Sequence, residues 1–195
     1  MKYNEKGVLV VVSGFSGAGK GTLMKSLVNQ YDNYALSVSM TTRDKREQEV
    51  EGQSYFFVSQ EEFLEKIQED KLIEYASYCG NYYGTPREYV MNQLEQGKNV
   101  ILEIEIQGAL KIKGKYPNAL LLFVMPPSAN ELKSRLVGRG TETIEVIDAR
   151  LSRATEEAEG IEEYDYFVVN DRLEECVEQI HAIIQLSHNQ PVRNA

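Results

Sequence analysis

Between an apolar run, VLVVV at 8–12, and an amphipathic stretch at 20–30 lies Gly14-Phe15-Ser16-Gly17-Ala18-Gly19-Lys20-Gly21-Thr22. Nothing else in the 195 residues restricts the fold as much. A glycine-rich turn that leaves a buried strand and enters a helix, with a lysine at its end, is the arrangement of a phosphate-binding P-loop. Glycines let backbone N–H groups turn inward and approach phosphate oxygens closely. The helix that follows offers its free N–H groups and the positive end of its dipole to the same anion. Lys20 supplies a point charge for β- and γ-phosphates. The loop at 14–21, with Thr22 behind it, is therefore expected to hold the phosphates of a nucleoside triphosphate. One slot departs from the usual pattern. The hydroxyl that ligates Mg²⁺ normally follows the lysine directly, but Gly21 stands there and the hydroxyl comes one residue later, on Thr22. No residue is assigned as a direct metal ligand.

Apolar runs and amphipathic stretches alternate along the rest of the chain, with no repeat or low-complexity linker. The run at 8–12 reads as a fully buried strand, and 100–106 and 119–125 read as further strands. DYFVVN at 165–170 reads as the last strand. Helices are expected at 20–30 and at 59–69, the latter with Ser59 as N-cap and Glu62 completing a capping box. Another starts at Thr85-Pro86-Arg87-Glu88, with proline in its first position, and Gly97 closes it. Ser128 and Glu131 open a helix that ends near Gly138, and a long charged helix runs from about 143 to 159. The closing helix, 173–186, puts Leu173, Val177, Ile180 and Ile184 on one face. Strands separated by helices imply an α/β fold with a parallel central sheet.

Net charge is −9 at pH 7, which argues against binding a nucleic acid polymer along its backbone. Small anions need only local positive charge, and the arginines are clustered: Arg43 and Arg46 with Lys45, then Arg135, Arg139, Arg150 and Arg153. The apolar stretch near the N-terminus is too short for a signal peptide or membrane anchor. Cys79 and Cys176 have no metal or redox spacing, and a reducing cytoplasm is the expected location.

Three stretches add specificity to the P-loop: SVSMTTRDKR at 37–46 with EVEG at 49–52 and YFFV at 55–58, then Ile73-Glu74 with GNYYG at 80–84, then RLVGRGTE at 135–142 with VVND at 168–171. In this order and spacing they closely resemble the guanylate kinase family, over about residues 7–186; 187–195 would be a tail. The loop's Gly-Lys-Gly-Thr also looks like that of adenylate kinases. The resemblance implies a P-loop nucleoside monophosphate kinase with three parts: a core, a GMP-binding region at about 37–88, and a lid at about 130–158 that closes over ATP. It implies that Arg43, Arg46, Tyr55 and Tyr83 grip the GMP phosphate, with Glu49 near them. Ser39, Glu74 and Thr85 would meet guanine. Arg135, Arg139 and Arg150 would surround the transferring phosphoryl group, with Lys20 and Arg43 also catalytic. Asn170 would lie beside the adenine.

Side-chain chemistry points the same way. Arginine forks suit a phosphate monoester, and tyrosine hydroxyls can complete its shell. Thr85 is a base contact or the cap of the helix that follows it, and both only if its hydroxyl is shared. Glu103 and Glu105, placed on one face of the 100–106 strand, stand where the family usually has aspartates. The family uses these carboxylates for the metal's water shell and the GMP side, so Glu103 is a candidate to reach Mg²⁺ through water. The expected partners are ATP and GMP, and a monomer and a homo-oligomer both remain open. Two competing functions are a partner-binding module built on the same fold and a kinase for another phosphorylated acceptor. The intact Lys20 argues against the first and the GMP-site residues against the second.

Overall fold

The computed structural model describes residues 6–78, 80–138 and 160–188. In chain order its elements are β1 (Leu9–Gly14), α1 (Lys20–Gln30), β2 (Tyr34–Leu36), β3 (Met40–Thr41), β4 (Phe56–Phe57) and α2 (Gln60–Gln68). There follow β5 (Leu72–Tyr78), β6 (Asn81–Pro86), α3 (Arg87–Glu95), β7 (Asn99–Glu103), α4 (Ile106–Lys115) and β8 (Leu120–Met125). Last come α5 (Ala129–Gly138), a 3-10 turn (Ile161–Glu163), β9 (Tyr166–Val169) and α6 (Leu173–His188).

Five strands form an all-parallel sheet in the order β2-β7-β1-β8-β9. β1 is buried throughout, and its alternation divides the core. Val10 and Val12 meet Leu23, Leu27, Val177 and Ile184 of α1 and α6. Leu9 and Val11 face Val90, Ala109 and Ile112 of α3 and α4. A parallel strand covered on both faces has no polar side, which is why VLVVV is continuously apolar. β1 therefore delivers its C-terminal loop to the middle of the sheet's carboxyl edge, where open α/β sheets bind their ligands.

A second sheet, β4-β3-β6-β5, stands beside the first. Its own small core is Met40, Phe63 and Leu72 with Tyr82, whose ring lies on Phe63 at 5.4 Å. Ser59 caps α2 by accepting the N–H of Glu62. Ser128 caps α5 in the same way through Glu131. Gly97, at φ +81, ends α3 while Gly97 N–H and Lys98 N–H return to the carbonyls of Leu94 and Gln93, the Schellman pattern.

Three expectations change. β7 stops at Glu103, not at 106, because Glu105 is the N-cap of α4 and Ile106 its first residue. The Ile104/Ile106 alternation continues past the strand because both residues still serve the core on that face. Glu103 and Glu105 thus do not share a strand face. Pro86 ends β6 and occupies the N-cap of α3, one place before the first helical turn. α6 runs two residues further than 186, to His188. The charged helix expected at about 143–159 lies outside the described residues, as do Cys79, Arg139, Arg150 and Arg153.

Candidate active site

Lys20 opens α1, and its ammonium lies across the loop, donating to the carbonyls of Gly14 at 2.7 Å and Phe15 at 3.3 Å. Gly17 has φ +94, and a Cβ there would come within 2.8 Å of Leu136 in α5. The bare Gly17 is what lets α5 lean on the loop. From α5, Arg135 donates to the carbonyl of Asn170 at 3.0 Å and reaches that of Ala18 at 3.4 Å. Glu131, one turn earlier, holds this guanidinium at 2.8 Å. Buried Asn170 donates Nδ2 to Ala18 O at 2.8 Å. Asn170 and Arg135 thereby fix the loop from below. Thr22 is exposed on the first turn of α1.

On the second sheet, Thr41 and Thr42 position Arg43. Thr41 Oγ1 donates to Tyr82 O at 3.0 Å, Thr42 Oγ1 accepts Tyr82 N–H at 2.9 Å, and Arg43 N–H donates to Thr41 Oγ1 at 3.2 Å. The guanidinium of Arg43 is bidentate to Glu49, at 2.7 and 3.1 Å. It also lies 5.5 Å from the ring centre of Tyr55, which meets Tyr83 edge-on at 6.0 Å. The pair shifts both partners: Arg43 holds the Glu49 carboxyl below its ordinary range, and Glu49 raises Arg43. Burial, the neighbouring Tyr83 and the charge of Glu103 push the Tyr55 phenol up. Arg46 is exposed, and its backbone N–H donates to Glu49 at 2.8 Å. Ser39 is partly buried, with its carbonyl accepting Phe56 N–H.

Glu74 is 5% exposed and Thr85 is fully buried. Thr85 Oγ1 donates to Glu74 Oε1 at 2.7 Å. No side chain caps α3, so the cap reading of Thr85 falls: its hydroxyl goes to the Glu74 carboxylate. Burial raises the carboxyl of Glu74, while the Thr85 bond and the charges of Lys111 and Lys115 pull it back. The floor beneath Glu74 is Gly108, in the first turn of α4. That helix, and with it Gly108 and Lys111, escaped the sequence reading. The available signal was the helical spacing of Ile106, Ala109 and Leu110 directly after the strand.

Glu103 joins the two halves. Its carboxylate oxygens lie 3.6 and 3.9 Å from the place a Cβ would take at Gly21, and its charge is felt at Tyr55. The missing side chain at 21 and the long one at 103 are thus neighbours. Among the described residues no group of three or more His, Cys, Asp or Glu could hold a metal alone. Mg²⁺ binds through one or two carboxylates together with substrate phosphates and retained waters. A single carboxylate at the loop's edge fits that mode. Glu105, on the N-cap of α4, is exposed.

Two sheets, one carrying the lysine loop and the other an arginine–tyrosine cluster and a buried carboxylate, are linked through Glu103. That construction defines a P-loop nucleoside monophosphate kinase fold. The model of the guanylate kinase family matches residues 6–187, and the chain belongs to that family. Guanylate kinases of Halalkalibacterium halodurans and Lactococcus lactis are each 50% identical to it over 184 residues, covering 94% of this chain and 90% of theirs. That of Clostridium tetani is 51% identical over 180 residues, covering 92% of this chain and 86% of its own. The crystal structure of guanylate kinase from Anaplasma phagocytophilum superposes with a TM-score of 0.78 at 33% identity, covering 97% of this chain and 90% of that one.

Proposed function

We infer that this chain is an ATP-dependent guanylate kinase, transferring the γ-phosphoryl group of ATP to GMP to give ADP and GDP. Family membership supports the reaction class. The observation that supports guanine as the base is the buried Glu74 carboxylate held by Thr85. Guanine presents two adjacent donors, N1–H and the N2 amino group, and one ionised carboxylate can accept both. Adenine turns a lone pair at N1 toward the same oxygens, so the site attracts one base and repels the other.

The acceptor phosphate is already an anionic nucleophile, so no general base is required. Catalysis then rests on in-line positioning and charge stabilisation. Lys20 neutralises the β- and γ-phosphates. Arg43, held in place by Glu49, receives the GMP phosphate with Arg46, Tyr55 and Tyr83. Ser39 and Glu105 border the same region. Arg135 comes from the lid side, where Arg139 and Arg150 join it by family resemblance. Closure of the lid at about 130–158 over ATP, together with closure of the GMP-binding region at about 37–88, excludes water from the transfer. Asn170 secures the loop, on the side where the adenine is expected. Mg²⁺, reached by Glu103 through water, would draw charge from the phosphates. No helix among the described residues is long and apolar enough to cross a membrane, in keeping with a cytoplasmic enzyme.

Glu74→Gln tests the assignment. The amide keeps the shape but offers guanine a single acceptor and turns an NH₂ toward N1 of adenine. The kcat/KM for GMP should fall by more than about tenfold, while AMP loses nothing. Equal losses on GMP and AMP would make Glu74 structural and place the guanine contact elsewhere.

A further inference from the structure

Gly108 is buried in the first turn of α4, and its backbone does not lie in the left-handed region that favours glycine. Glycine is a weaker helix former than alanine at such a position. What excludes a side chain is the carboxylate above it. A Cβ on Gly108 would stand 2.7 Å from Glu74 Oε2 and 3.4 Å from its Cδ, with Ile104 Cδ1 at 3.2 Å. A carbon–oxygen approach of 2.7 Å is inside van der Waals contact, so something must move. The carboxylate has little freedom to do so. Its Oε1 is tied to Thr85 at 2.7 Å, and the side chain is buried. One oxygen is therefore held by Thr85 and the other lies against the space that a side chain at 108 would fill, which fixes the plane in which the carboxylate faces a base.

We propose that Gly108 is a positioning residue that determines base specificity. By carrying no side chain it lets Glu74 lie flat against α4, in the orientation that accepts two adjacent donors at once. This rests on the guanine-reading role of Glu74. A methyl at 108 would rotate or lift Oε2, so the second acceptor is lost while the first is kept. The base most affected is the one that needs both. Guanine has N1–H and the N2 amino group, whereas hypoxanthine has N1–H alone. GMP should therefore lose its advantage over IMP.

The test is Gly108→Ala, assayed with ATP against GMP and IMP. The KM for GMP should rise by about tenfold, the GMP:IMP ratio of kcat/KM should fall by about fivefold or more, and the KM for ATP should not move. The melting temperature should fall modestly, since the buried clash outweighs the gain in helix propensity from alanine. Loss of fold alone would reduce both substrates equally and leave the ratio unchanged. A second arm uses Glu74→Asp, whose shorter arm withdraws from position 108. On that background Gly108→Ala should add little further loss of GMP activity, whereas fully additive losses would overturn the steric coupling. If Gly108→Ala fails to accumulate as folded protein, the double variant decides: its recovery supports the contact, and its failure overturns it. GMP and IMP parameters within about twofold of the parent chain would overturn the inference. Glu74→Gln tells the two failures apart. If it erases the preference for GMP while Gly108→Ala does not, only the role of Gly108 falls. If Glu74→Gln itself leaves the preference intact, the role of Glu74 falls with it.

Discussion

Two carboxylates on the acceptor side are tuned in opposite directions. Arg43 lowers Glu49, so that pair contributes stability above the ordinary carboxylate range and loses it as pH falls. Burial raises Glu74. Between its unfolded and folded pKa the native chain binds the extra proton, so Glu74's contribution is fully present below the unfolded value and is lost as pH rises through the folded one. An ionised Glu74 is thus held against the fold, as expected of a group kept for recognition. Only the ionised form accepts both guanine donors. The KM for GMP should accordingly rise with acid from a higher pH than an exposed glutamate would dictate. The phosphate of GMP itself titrates at about pH 6, and comparison with Glu74→Gln removes that shared part. The variant should lack the Glu74 portion of the acid limb and melt no lower than the parent at neutral pH, with the difference shrinking toward acid. A neutral-pH melting temperature well below the parent's would contradict this account. Thr85 shows what residue identities leave undecided. A threonine before a proline and a helix suits a cap as well as a base contact, and only the partner across the strand pair, Glu74, removes the cap.

Elements with strong local chemistry were legible. Ser59 and Ser128 cap where their glutamates predicted, Gly97 closes α3, and β1 runs into the loop. The second sheet was not legible as a sheet. β3 and β4 are two residues each, too short to show a period, and NYYGTP of β6 ends in Thr85-Pro86, which read as the start of a helix. α4 hid because Gly108 and Gly114 weaken a helical pattern, and because Ile104 and Ile106 carry the strand's alternation past its end. The union of α5, the P-loop and the end of β9 was equally invisible, since it depends on Asn170 reaching Ala18 across 152 positions of sequence. Asn170→Ala should cost about 1 kcal/mol of stability, the net worth of such a hydrogen bond. If Asn170 acts by holding the loop, the KM values for ATP and for a non-adenine triphosphate should rise in equal proportion, with that for GMP unchanged. A rise confined to ATP would instead mean that Asn170 contacts the base.

At the scale of the whole molecule, the fold brings together two sites far apart in sequence. The parallel sheet carries the phosphate loop at its centre, and the smaller sheet carries Arg43, Tyr55, Tyr83 and Glu74. Glu103, at the end of β7, stands between them, beside Gly21 and within electrostatic reach of Tyr55. The parallel sheet and the loop followed from strand–helix alternation and glycine placement. The juxtaposition at Glu103 did not, because the strand's end had to be located first. The central claim is that this pairing of sites passes a phosphoryl group to a guanine nucleotide in strong preference to an adenine or uracil nucleotide. It is tested most directly by measuring ADP release from ATP with GMP, dGMP, AMP and UMP offered separately as acceptors. The account predicts rapid release with GMP and a kcat/KM for AMP or UMP lower by roughly four orders of magnitude, the discrimination a paired hydrogen-bonding site can reach. Comparable turnover of AMP or UMP, or no acceptor-dependent ADP release at all, would contradict it.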